Sequence, residues 1–310
     1  MQDYFPRIPE EYVVPLNMNG LRGRMLRMPP PKNKKREMLV VYGHHSSLER
    51  MYSIAEVLND YGGVTMPDLP GFGGMDSFYK IGEKPHLDTM ADYLASVVKL
   101  RYKNRRVTIA GISYGFIVVT RMLQRYPELT KKVDMLISVV GFAHHEEFTF
   151  SRKRKFLYRL GTKIFSQSVP AAIFRSTILH PFILRNFYKN THNAKIKFAG
   201  LSEDETKNLA EFEVVLWRLN DLRTHMATNN SFLYVDNCIA RVNLPVYHIG
   251  VDMDHYFDKE LVEQHMRVIF NDFQYINAPV DRHMPNVIAG KEESAVLFPR
   301  KIRTLLNKKQ

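Results

Sequence analysis

Gly111-Ile112-Ser113-Tyr114-Gly115 is the stretch of this chain whose residue types and spacing most directly suggest chemistry. It is a GxSxG pentapeptide set between the apolar run VTIA and a segment of helical spacing that starts at Gly115. A serine on a tight strand-to-helix turn presents its hydroxyl from a strained backbone, and flanking glycines let the chain pass where a side chain would collide. The helix beginning there adds a positive dipole end and unpaired N–H groups beside the reacting oxygen. The predicted chemistry is attack by the Ser113 hydroxyl on an acyl carbon. Such an attack needs an oxyanion site, usually the largest single catalytic contribution. The Tyr114 N–H, directly after the nucleophile, is one expected donor. A second is expected from the loop after the first central strand, Tyr42-Gly43-His44-His45-Ser46-Ser47.

These groups need a rigid frame, and the hydrophobic pattern supplies one. EYVVPLNMNGLRGRMLRMP reads as two strands around the Asn19-Gly20 turn. MLVVYG, VTIAGIS and VDMLISVVGF are short, continuous apolar runs of the kind expected from strands buried on both faces. GGVTMPDLP holds a further strand, and helical spacing covers residues 48–60, 87–103 and 115–125. Strand and helix alternate, which predicts an α/β fold with a mostly parallel sheet and helices on both faces. From about His144 to Asn229 the pattern is helical, including a segment from Glu203 to Arg223 with a long polar face. Alternation then resumes with LPVYHIG, a helix over 259–270, the strand DFQYINAP and a helix over 292–306. The expected organisation is a core of residues 1–143 and 230–310, with residues 144–229 inserted as a helical cap.

At this level the sequence resembles the α/β-hydrolase family, in its serine esterase- and lipase-like branch. Tyr42-Gly43-His44 is similar to that family's His-Gly-X loop, with Tyr42 in place of the usual His; the resemblance implies the His44 N–H as second oxyanion donor. Pro67-Asp68-Leu69-Pro70-Gly71-Phe72-Gly73-Gly74 is similar to the family's PDLxGxGxS segment. With the elbow, these matches cover the core from Met38 to Phe142 and again from Leu244. The resemblance implies a base and an acid in the chain order Ser, acid, His. His283, in Asp281-Arg282-His283-Met284 after the last strand, matches the base in position, with Arg282 where the family has Gly. Counting nine residues from Pro245 gives Asp254 as the acid. The family's Gly is displaced by one residue at Gly250, so Asp252 stays open as the alternative. A serine nucleophile argues against the haloalkane and epoxide branches, which attack with Asp. The implied activity is hydrolysis of a carboxylic ester, with an apolar or lipid-derived acyl group as first expectation and no cofactor; amide, thioester and carbon–carbon bond hydrolysis stay open, as does acyl transfer to acceptors other than water.

Composition narrows the alternatives. One cysteine, Cys238, excludes an intramolecular disulfide and a cysteine-rich zinc site. MQDYFPRIPEEYVVP has neither a basic start nor an apolar stretch, so no signal peptide is read there, and no run of about 18 apolar residues suggests a membrane span. The expected location is the cytoplasm. Neither adjacent His44-His45 nor His144-His145-Glu146-Glu147 has a recognised metal spacing; no metal is expected, and the second group reads as a polar hinge into the cap. The net charge of +12 is concentrated: residues 151–198 hold eleven Lys and Arg and no Asp or Glu. Aromatics such as Phe156, Tyr158, Phe165 and Phe182 interleave with them. A solvated lid covering the cleft accounts for this pattern. So does a face for anionic membrane lipid, which would make the protein peripheral to the inner side of the membrane. Nucleic acid is not an expected partner, and the oligomeric state is not readable. A catalytically silent binding protein that keeps the fold, or a peripheral membrane protein acting through its basic cap, stands as the alternative to an enzyme.

Overall fold

The computed structural model describes residues 8–190, 202–251, 254–280 and 290–308. Strands β1 (Val13–Met18) and β2 (Leu21–Met28) form a hairpin. Asn19 and Gly20 both take positive φ, 49° and 82°, as a two-residue turn matched to strand twist requires. There follow β3 (Glu37–Val41), α1 (Leu48–Asn59), β4 (Gly63–Pro67), α2 (Leu87–Arg101), β5 (Val107–Ile112), α3 (Tyr114–Arg125) and β6 (Val133–Val139). Every residue of β3, β4 and β5 is buried, which is why their sequences are continuous apolar runs without alternation.

The eight strands form one sheet in the order β1-β2-β4-β3-β5-β6-β7-β8, where β7 is Val242–Val251 and β8 is Phe270–Ala278. Only the pairs involving β2 are antiparallel. The chain runs one way from β3 to β4 and the other way from β4 to β5. Right-handed crossovers therefore put α1 on one face of the sheet and α2 and α3 on the other. β3 is the switch point, and the crevice at its carboxyl end is where open α/β sheets bind ligands.

Between β6 and β7 lie α4 (Arg152–Phe165), α5 (Ser168–Ser176), α6 (Pro181–Asn190), α7 (Glu203–Leu219) and α8 (Leu222–Phe232). Their inner faces make a small core of their own from Ala171, Leu179, Leu184, Val214, Leu222 and Met226, with Phe165, Phe174 and Trp217 packed against it. The helix expected over 203–223 is two helices. Asn220 is extended, and the Asp221 carboxylate accepts the Thr224 N–H and caps α8. After β7, α9 (Lys259–Ile269) leads into β8. The helix expected over 292–306 is also broken, into α10 (Lys291–Ala295) and α11 (Arg300–Asn307). Pro299 has no N–H to continue the first helix and stands as N-cap of the second.

Candidate active site

Ser113 sits where β5 ends and α3 begins, with φ 47° and ψ −115°. Few non-glycine residues adopt this backbone, and such strain persists only where the surroundings enforce it. The enforcing contacts are visible on both sides. Ser113 N–H donates to the Val139 carbonyl at 2.9 Å, and Phe116 N–H to the Ser113 carbonyl at 2.9 Å. A Cβ at Gly111 would stand 2.7 Å from Phe116 Cα, and one at Gly115 would collide with the Val41 and Tyr42 carbonyl oxygens. Both glycines of the pentapeptide are thus required by close approach of backbone, as the motif predicts.

The loop after β3 lies directly against the serine: a Cβ at Gly43 would be 3.5 Å from Ser113 Cβ. Tyr114 opens α3, so its N–H has no acceptor within the helix. Neither the Tyr114 nor the His44 N–H has a hydrogen-bond acceptor among the described residues. The His44 ring is clamped from the far side. Its Nε2 lies 2.9 Å from Thr228 Oγ1 and 3.2 Å from the His225 carbonyl. Thr228 donates its own proton to the Thr224 carbonyl, so His44 is the donor and carries its proton on Nε2. Burial pushes the His44 imidazole down to about 3, so it is neutral at any ordinary pH.

Tyr42, the departure from the family's His, ties two loops together. Its hydroxyl donates to Asp68 Oδ1 at 2.8 Å and accepts the Leu69 N–H at 2.8 Å. Arg24 Nε donates to the other Asp68 oxygen at 2.9 Å, while its two terminal nitrogens hold Glu49 at 2.6 and 2.8 Å. Burial pushes the Asp68 carboxyl up, against Arg24 and Tyr42, which both favour its charge. Tyr42→Phe would leave a buried oxygen and a buried N–H short of a partner. The expected cost is about 1–3 kcal/mol of folding stability, read as a lower urea midpoint at unchanged slope. An unchanged midpoint would show that this hydroxyl does not hold the loops.

Asp254 lies three residues beyond β7. It shares a crevice with Val140, Gly141, His248, Gly250 and Tyr275, and its Oδ1 accepts the Tyr256 N–H at 2.9 Å. Val140, a β-branched residue at φ 43° directly after β6, is the other strained position at this rim. The alternative acid Asp252 and the expected base His283 lie outside the described residues. β5, β6, β7 and β8 are parallel, and Ser113 and Asp254 both follow carboxyl ends.

Several residues around the site carry no sequence signal. Asn220, between α7 and α8, donates to His45 Nδ1 at 3.2 Å, accepts the Gly73 N–H at 2.9 Å, and gives its carbonyl to Arg175 at 2.7 Å. One residue thus joins the loop after β3 and the Gly71–Gly74 turn through its side chain, and α5 through its backbone carbonyl. His45 also meets buried Glu213 at 3.5 Å and the Trp217 ring at 4.3 Å. His225 Nδ1 and Tyr114 Oη, both buried, have no hydrogen-bond partner among the described residues. Further off, His144, Glu146 and His265 bring ligand-type atoms within 4.8 Å of one another and could hold a cation. His265 is oriented there by buried Glu147 at 2.9 Å, which raises its pKa.

No protein-family model matches the chain, and no curated protein matches it. Solved structures do. A hydrolase from Pseudomonas aeruginosa PA01 superposes at a TM-score of 0.66 and 14% identity over 93% of this chain and 98% of that one. A thermophilic esterase from Thermogutta terrifontis does so at 0.63 and 17%, over 96% and 99%. A bacterial membrane phospholipase A gives 0.62 and 13%, over 96% and 87%. The fold is that of the α/β-hydrolases.

Proposed function

We propose that this α/β-hydrolase-fold chain is a serine hydrolase that cleaves a carboxylic ester through an acyl-enzyme on Ser113. One observation carries the reading: a strained serine at a strand–helix elbow, with the Gly43 loop packed against it and the His44 and Tyr114 N–H groups, which have no acceptor among the described residues, next to it in the loop and the chain. The esterase and phospholipase A among the structural neighbours support it.

Ser113 Oγ attacks the acyl carbon as His283 takes its proton, and the His44 and Tyr114 N–H groups receive the oxyanion. His283 returns the proton to the alkoxide as the C–O bond breaks. Water then attacks the acyl-enzyme with His283 again as base, releasing the acid and restoring Ser113. Asp254, or Asp252 in its place, orients the imidazole and stabilises its charged form. Residues 144–229 act as a cap over the core of residues 1–143 and 230–310. The clamp from Thr228 and His225 on the His44 ring couples that cap to the oxyanion loop.

A fluorophosphonate probe followed by intact mass tests the reading. Wild type is expected to gain a single adduct, absent from Ser113→Ala and His283→Ala of unchanged circular dichroism. A folded wild type without an adduct would overturn the proposal in favour of a catalytically silent binding protein.

A further inference from the structure

Helices α4, α5 and α6 are amphipathic in the wrong sense for a water-facing surface. α5 and α6 turn Ala171 and Leu184 into a small core with Leu179, against which Phe165 of α4 packs, and α4 buries Thr162, so the opposite, outer faces turn away from the protein. Those outer faces carry large apolar side chains. Phe156 and Leu157 are 65% exposed, Phe182 66% and Val169 68%, with Leu160, Ile164, Ile173 and Ile178 exposed among them. In α4, residues 153, 156, 157, 160 and 164 fall at helical spacing on one side. Arg152, Lys153, Phe156 and Leu157 line a shallow depression there. Large apolar side chains grouped on one exposed helix face in this way mark an interaction site.

The charge around it identifies the occupant. Residues 151–198 contain no acidic side chain. Arg154 lies over the Phe150 ring and Arg159 over Tyr234, and Arg185 pairs with Glu211. Arg152, Lys153, Lys155 and Lys163 have no carboxylate partner among the described residues. A second copy presenting the same face would bring these cations together. Nucleic acid would use the cations but not the aliphatic side chains between them. A lipid surface with anionic headgroups uses both, taking the apolar groups below the headgroups and the lysines among them. No helix among the described residues is long and apolar enough to cross a membrane.

We propose that the outer face of α4–α6 docks on an anionic phospholipid bilayer, Phe156, Leu157, Leu160, Val169, Ile173 and Phe182 entering the interface between the unpaired lysines and arginines. The docking is independent of the Ser113 chemistry. It puts a membrane against the inserted helices.

Flotation of the full chain with vesicles tests this, comparing phosphatidylcholine alone with a 7:3 mixture of phosphatidylcholine and phosphatidylglycerol. Wild type and Ser113→Ala should float equally with the anionic vesicles and poorly with the neutral ones. Binding should weaken between 0.1 and 1 M salt, as the screening length falls from about 10 to about 3 Å. Each basic residue near such a surface multiplies affinity about fivefold. The triple variant Lys153→Gln, Lys155→Gln, Lys163→Gln should therefore bind about a hundredfold more weakly. Phe156→Ser with Leu157→Ser should also lose binding, at an unchanged thermal midpoint, because both positions are exposed. Absent binding, equal binding to neutral vesicles, or binding indifferent to both variants would overturn the proposal. So would a wild-type dimer on size exclusion that the Phe156→Ser, Leu157→Ser pair dissolves, which would assign the face to a second copy. Loss of fluorophosphonate labelling alone would bear on the hydrolase reading and leave this one standing.

Discussion

Asp254→Asn is expected to lower kcat/KM for an activated ester about ten-thousandfold, while Asp252→Asn changes it by no more than a few-fold. The amide keeps the size of the carboxylate but presents N–H where the imidazole needs an acceptor. It therefore favours the wrong tautomer of the base and cannot stabilise the imidazolium that forms when Ser113 loses its proton. Asp254 follows β7 by three residues, in a crevice with Val140, Gly141 and Gly250. The strain at Val140, φ 43°, shows that the neighbouring rim is held in one conformation. Its carboxylate is anchored by the Tyr256 N–H, which fixes one oxygen. The loss should fall in kcat with KM little changed, since the interaction is made as charge develops. The reverse pattern, a large loss at Asp252 and none at Asp254, would move the acid two residues. A small effect at both would remove the carboxylate from the mechanism.

The elbow was legible in the sequence because each of its requirements is local. A fully buried strand reads as an unbroken apolar run, and the glycines at 111 and 115 are fixed by contacts that the turn itself creates. The hairpin at Asn19-Gly20 was legible for the same reason. What depends on distant residues was not. Tyr42, Asp68 and Arg24 meet from three strands or their loops, and nothing in the spacing of an arginine in β2 and an aspartate after β4 says that they share a hydrogen-bonded pair. Asn220 reads as a helix stop, yet its side chain fastens the loop after β3 and the Gly71–Gly74 turn to the inserted helices. The break at Pro299 did carry a signal, the missing N–H, which the helical spacing of the residues on either side obscured. The basic, aromatic segment was visible as composition. That α4–α6 turn their apolar sides outward is a property of packing, set by which faces Val214, Leu222 and Met226 attract inward.

Buried histidines around this rim make the fold sensitive to mild acid, and His248 offers the cleanest measurement. It lies in β7 beside Ser138 of β6, whose hydroxyl is 2.9 Å from Nδ1, and it is 4% exposed. Burial pushes its pKa from 6.5 down to about 4, with the Asp254 charge opposing. As pH falls below about 6.5, the unfolded chain takes up a proton that the folded one refuses. Stability contributed by His248 is therefore complete above that pH and falls by about 1.4 kcal/mol per unit toward the folded value. Between pH 7 and 4.5 the expected loss is about 2–3 kcal/mol. Other groups shift the whole curve: Asp68 and Glu147, whose pKa values burial raises, gain stability over the same range. The test is therefore a difference. His248→Asn keeps a partner for the Ser138 hydroxyl and removes the titration. Urea unfolding at the two pH values should show wild type losing about 2–3 kcal/mol more than the variant. Equal losses would mean that His248 accepts its proton in the folded protein as readily as in the unfolded one. The crevice would then hold a cation beside Asp254 in mild acid.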